Sequence, residues 1–150
     1  MMTSLPLSLD AVRGQFEAQL RAAGTSLEAP SLAQTWRAFR EFSQIAVACD
    51  EESLFFECGL SPSNESHFYV NFTRTFIGRD AGNHFWSSEV NCDFLFESDE
   101  ALEEIGATVE AEIEVPVDHD DFFRAVEAQA VWKLLQGRAP LGATIYVGES

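Results

Sequence analysis

Positive charge is scarce in this sequence. Its 150 residues hold one lysine, Lys133, and eight arginines, nine bases against 25 acids, for a formal net charge of −16 at pH 7. Binding to a nucleic-acid backbone depends on Lys and Arg displacing condensed counterions, so this balance argues against direct nucleic-acid binding and against attraction to an anionic membrane. Long apolar runs are missing too. The longest unbroken one, Ile45 to Cys49, is far below the length of a membrane span. Met1 to Asp10 lacks the basic start and continuous apolar stretch of a secretory signal, so the chain is expected in the cytoplasm with no membrane association.

Cysteine is sparse and odd in number. Cys49, Cys58 and Cys92 are widely separated and form no Cys-x-x-Cys pair, which fits neither a disulfide framework nor a structural zinc site. They read as small buried hydrophobes. The chain also lacks a phosphate-binding Gly-x-x-x-x-Gly-Lys loop, a Gly-x-Gly-x-x-Gly turn, a Gly-x-Ser-x-Gly elbow and a His-Glu-x-x-His helix. No catalytic motif is found and no cofactor is implied.

What remains is core-forming. Apolar residues make up 46% of the chain and charged ones only 23%, with 13 phenylalanines, so the acidity reflects missing bases and leaves a composition that folds. At this length one domain, 1–150, is expected. Ser8 caps a predicted helix to Ala23 with Leu9, Val12, Phe16 and Leu20 on one face and Gly24 as its stop. Ser31 and Gln34 resemble a capping box for a second helix to about Ala46, carrying Leu32, Trp36, Phe39 and Phe42.

From Leu54 the period changes to two. Leu54 to Gly59, His67 to Ile77 and His84 to Phe96 read as three consecutive antiparallel strands, the second with Phe68, Val70, Phe72 and Phe76 on one face. Ser98 to Ile105 reads as a helical turn capped by Ser98, and Thr108 to Val117 as a strand in which Pro116 marks either the end or a position at the sheet edge. A third long helix follows from Asp118–Asp121 through Phe122, Val126, Ala130 and Leu134 to Gly137, then a last strand, Ala143 to Val147. The pattern predicts an α+β fold: a mainly antiparallel sheet of about five strands, packed on one face by two or three helices.

The acids are clustered. Glu97 to Asp121 contains eleven acids and no base, leaving −5 for the rest of the chain. Within it Glu110, Glu112 and Glu114 alternate along a strand, roughly 6.6 Å apart, and Glu103 and Glu104 precede them. This surface either solvates a Phe-rich protein or presents a negative field to a basic protein partner.

Four other features are candidates for chemistry. Asp118, His119 and Asp121 are of metal-ligand type, but neighbours on a helix diverge and an N-cap followed by first-turn acids explains them without a metal. His67 and His84 start successive strands and fall at opposite ends of their hairpin. Cys58 with His67 lacks a third group to orient a base. Arg74 stands on the apolar register between Phe72 and Phe76; there it either pairs with an acid, Glu57 or one on the third strand, or recognises an anion in a pocket shared with His67 and His84.

The stretch Phe68-Tyr69-Val70-Asn71-Phe72-Thr73-Arg74-Thr75-Phe76, between a Trp-bearing amphipathic helix and the late Asp-Phe-Phe-Arg-Ala-Val-Glu helix, resembles a family of small acidic bacterial proteins of no assigned activity. The resemblance implies a bacterial, cytoplasmic origin and carries over no functional residue. In size, acidity and pattern the chain is also similar to immunity proteins that neutralise basic toxins, without a shared motif. The expected function is an acidic interaction module binding a basic protein, in the manner of an immunity or inhibitor protein. The alternative is a small-ligand-binding or hydrolytic domain with a Phe-lined cleft.

Overall fold

A computed structural model describes residues 4–105, 109–115 and 118–149, with the backbone alone for Glu65, Ile105 and 109–115. Helix α1, Leu9–Ala22, begins where the Ser8 hydroxyl accepts from the Ala11 amide at 3.2 Å, and Gly24 adopts the left-handed conformation, φ 82°, that ends it. Its buried stripe is Val12, Phe16 and Leu20. Helix α2, Leu32–Ser43, starts at Ser31, whose Oγ accepts from the Gln34 amide at 3.2 Å and donates to Gln34 Oε1 at 2.8 Å.

Helix α2 stops three residues short of the expected Ala46. The next residues are needed elsewhere: Leu5–Pro6 (β1) pairs in parallel with Val47–Ala48 (β2), and the Leu5 amide donates to the Ala46 carbonyl at 2.8 Å. That two-residue ladder ties the N-terminal segment to the end of α2. It is too short to leave a periodic signal.

The main sheet is antiparallel throughout, ordered β6-β3-β4-β5-β7, where β3 is Glu51–Ser61, β4 Asn64–Arg79, β5 Phe85–Glu97, β6 Val109–Val115 and β7 Gly142–Gly148. Strands β3 and β4 run beyond the expected bounds at both ends, since their ladder continues from Glu51↔Ile77 to Ser61↔Asn64. Even-numbered residues of β3, β4 and β5 point into the core, which holds Leu54, Phe56, Phe68, Val70, Phe72, Phe76, Val90, Phe94 and Phe96. Against them lie the buried faces of the helices in one continuous cluster.

Trp36 is the hub of this layer. Its ring lies within 6.4 Å, centroid to centroid, of Phe39, Phe56, Phe72, Phe122, Phe123 and Trp132, mostly edge-on or tilted.

The third long helix is two helices. Helix α4, His119–Glu127, ends at Ala128, and Gln129 is extended (φ −70°, ψ 135°) before α5, Ala130–Leu135. The break resets the helical phase, so the core takes Phe122, Phe123 and Val126, then Val131, Trp132 and Leu135. Ala130, expected inside, is exposed, and Leu134 is half-buried. The short helix α3, Glu100–Ile105, is capped by Asp99 in place of Ser98: Asp99 Oδ1 accepts from the Leu102 amide at 3.1 Å. The expected end at Gly106 and the Pro116 stop lie outside the described residues. No described helix is long and apolar enough to cross a membrane.

Candidate functional site

The face of the main sheet turned away from the helices is acidic and free of bases over most of its extent. Strand register sets its rows: Glu51, Ile77 and Ser87; Ser53, Thr75 and Glu89; Phe55, Thr73, Asn91 and Tyr146; Glu57, Asn71, Asp93 and Thr144; with Glu97 opposite His67 at the far end. Five carboxylates, Glu51, Glu57, Glu89, Asp93 and Glu97, occupy these positions. The backbone register of β6 sets Glu114, Glu112 and Glu110 opposite Ser53, Phe55 and Glu57. Edge strand β6 thus extends the same three rows; the side chains of Glu110, Glu112 and Glu114 lie outside the described residues.

Neutral groups order two of these carboxylates. Tyr69 Oη donates to Glu57 Oε1 at 2.6 Å, and Asn71 Nδ2 donates to Asp93 Oδ1 at 2.6 Å and to Asn91 Oδ1 at 2.7 Å. Hydrogen bonds from neutral donors fix a carboxylate without cancelling its charge. Arg79, at the end of β4, is the one base in this register; its guanidinium carbon stands 4.7 Å from the centre of the exposed Phe85 ring.

The bases are on the other side. Arg13 and Arg21 belong to α1, Arg37 and Arg40 to α2, Arg124 to α4, Lys133 to α5 and Arg138 to the segment after it, while Arg74 is in the core. They divide the acidic interval that is continuous in sequence. Asp99 meets Arg138 at 2.8 Å, Asp120 lies 3.8 Å from Arg40, and Asp118 and Asp121 both contact Arg124. Asp99 is held below the ordinary carboxylate range, chiefly by the Leu102 amide and then by Arg138. Glu103 and Glu104 are exposed on α3, away from the sheet rows.

Arg74 is buried, 1% exposed, with four of its five N–H groups engaged. Nε and Nη2 contact Glu52, Nη1 donates to the Phe42 carbonyl at 2.5 Å and Nη2 to the Ile45 carbonyl at 2.8 Å. The Phe42 and Phe76 rings sandwich the guanidinium, each centroid 4.7 Å away. Expected partner Glu57 is excluded by strand parity, because odd positions of β3 face away from the helices. The same parity excludes Glu89 and Asp93. Glu52, next to the expected strand and on the helix side, was the acid to find. With its donors bound to the end of α2, Arg74 acts as a C-terminal cap for that helix.

Beside this ion pair a pocket of about 300 Å³ opens at the end of α2, lined by residues 43–47 with Cys49, Asp50, Glu51, Glu52, Arg74 and His119. Burial, then Glu52, pushes the Cys49 thiol up to about 11, which keeps it protonated and non-nucleophilic at neutral pH. Burial also lowers His119 below its ordinary 6.5, and its Nε2 is buried with no hydrogen-bond partner. No phenylalanine lines this pocket; the rings fill the core.

The residues singled out together are therefore dispersed. His67 sits opposite Glu97 at one end of the β4–β5 ladder, His84 lies in the turn at the other, and Arg74 is enclosed between sheet and helices. Cys58 and His67 point to opposite faces. Asp118 caps α4 by accepting from the Asp120 amide at 3.0 Å, and no described group of His, Cys, Asp and Glu could hold a metal. Cys58 and Cys92 are buried as expected, whereas Cys49 is half-buried at the pocket. Alternation assigns Glu51, Glu57, Glu89 and Asp93 each to a polar strand face without showing that those faces are one surface.

No protein-family model, no curated protein and no solved structure matches the chain.

Proposed function

We propose that this protein is a cytoplasmic, single-domain interaction module whose uncovered sheet face binds a basic protein, in the manner of an immunity or inhibitor protein. The observation that carries the reading is the segregation of charge. Five carboxylates and three further glutamate positions share one face whose only base among the described residues is Arg79 at its rim, while seven of nine bases lie on or beside the helices. Such a face steers a cationic partner into contact and repels another copy of itself. Phe55, Tyr69 and Tyr146, set among the acids, supply amphipathic contact area once the partner arrives.

Binding to the cognate basic protein, captured from the source organism and then purified, tests this directly. Replacing Glu57→Gln, Glu89→Gln and Asp93→Asn together should slow association about tenfold at low salt, with the difference shrinking as salt is raised. Association indifferent to both the substitutions and salt would overturn the reading.

A further inference from the structure

We infer that the pocket at the end of α2 receives a single alkylguanidinium or alkylammonium group, the Arg or Lys side chain of the basic partner. This rests on the reading above and gives it an anchor. Arg74, the one Lys or Arg among the described residues that line the pocket, binds Glu52 and the Phe42 and Ile45 carbonyls through four of its five N–H groups. Glu52 already neutralises its charge, so it offers an incoming anion little net attraction.

The uncompensated charge in the lining is acidic, with the Gln44 amide its main neutral donor. Glu52 is 12% exposed and already shared with Arg74; Asp50 and Glu51 stand free enough to face an incoming charge. Asp50 lies 3.8 Å from Arg79, but both are more than half exposed, a contact weak enough to yield. His119 Nε2, buried and without a partner, is neutral at pH 7 and accepts a hydrogen bond when the ring proton is on Nδ1. An anionic ligand would be repelled by these carboxylates and a neutral donor would leave their charge unbalanced; a guanidinium or ammonium head supplies both donors and charge.

The apolar part fits as well. Ile45, Ala46 and Val47 line the pocket beside the carboxylates, as the methylene stem of a long basic side chain requires. Glu51 links the two sites, since it lines the pocket and also occupies the first row of the acidic face. A chain lying across that face can drop one basic side chain over its edge.

The probe is n-butylguanidinium chloride, with n-butylurea as the neutral isostere, followed by NMR of the His119 ring. A second arm uses a short Arg-containing peptide, and the control protein is Asp50→Asn with Glu51→Gln, two exposed positions outside the core. The expected result is a saturable His119 shift with butylguanidinium and with the peptide, none with butylurea, and about tenfold weaker binding in the double variant. A butylguanidinium shift with no response to the peptide would overturn the assignment to a partner side chain. No saturable shift with either cation would overturn the pocket itself. Salt-sensitive association lost through Glu57, Glu89 and Asp93 would still stand in that case, so failure here is separable from failure of the face.

Discussion

The two sides of the main sheet solve opposite problems with charge. On the helix side acids are met by bases: Arg74 meets Glu52 between two aromatic rings, Asp99 meets Arg138, and Arg124 meets Asp118 and Asp121. On the open side Glu57 and Asp93 are held by hydroxyl and amide donors, and their charge is left standing. Charge on one side is an element of architecture; on the other it is exposed capital for binding. The difference also separates what substitutions will do: the helix side should fail by unfolding and the open side by losing association.

The largest effect belongs to the aromatic hub. Trp36→Ala removes a ring packed against six others and should cost about 4 kcal/mol in chemical denaturation, enough to unfold a marginal domain. Next is the buried ion pair. Glu52→Gln leaves the Arg74 guanidinium without a counter-charge and should cost about 3 kcal/mol, whereas Glu52→Leu with Arg74→Met, which removes both charges, should recover much of that loss. If the double variant is no better than the single one, the pair is not the unit that matters.

The open side should behave differently. Glu57→Gln, Glu89→Gln and Asp93→Asn keep their acceptor oxygens and relieve like-charge repulsion, so together they should shift stability by no more than about 0.5 kcal/mol while slowing association. A large loss of stability would erase the contrast between the two sides. The smallest effect concerns His119. Burial depresses its pKa in the folded protein, so the unfolded chain binds the extra proton more readily as pH falls below 6.5. Its contribution is complete above that pH and declines below it; His119→Gln should flatten the stability curve there, read from denaturation midpoints across pH 5 to 7.5.

Much of this architecture was legible in local pattern. The caps at Ser8 and Ser31, the stripe of α1 and the alternation of Phe68, Val70, Phe72 and Phe76 are written in neighbouring residues, and each element follows from its own chemistry. What escaped depends on contacts distant in sequence. The α4–α5 break leaves no Gly or Pro at Ala128–Gln129 to announce it. The β1–β2 pair is too short to have a period. The acidic face joins Glu57, Asp93 and the β6 glutamate positions only after strand order is known, and the base-free interval proves to be two surfaces because Arg40, Arg124 and Arg138 return to it from elsewhere in the chain.

The Arg74 cap has a consequence for motion. Helix ends ordinarily fray on their own, because their last carbonyls answer only to water. Here the Phe42 carbonyl in the last turn of α2 and the Ile45 carbonyl just beyond it are tied to a residue in the middle of β4, which is itself tied to β3. The end of the helix therefore cannot open unless the hairpin opens with it. Amides around Gln44 and Ile45 should exchange with solvent at the pace of the β3–β4 ladder, making one cooperative unit of segments that are separate along the chain.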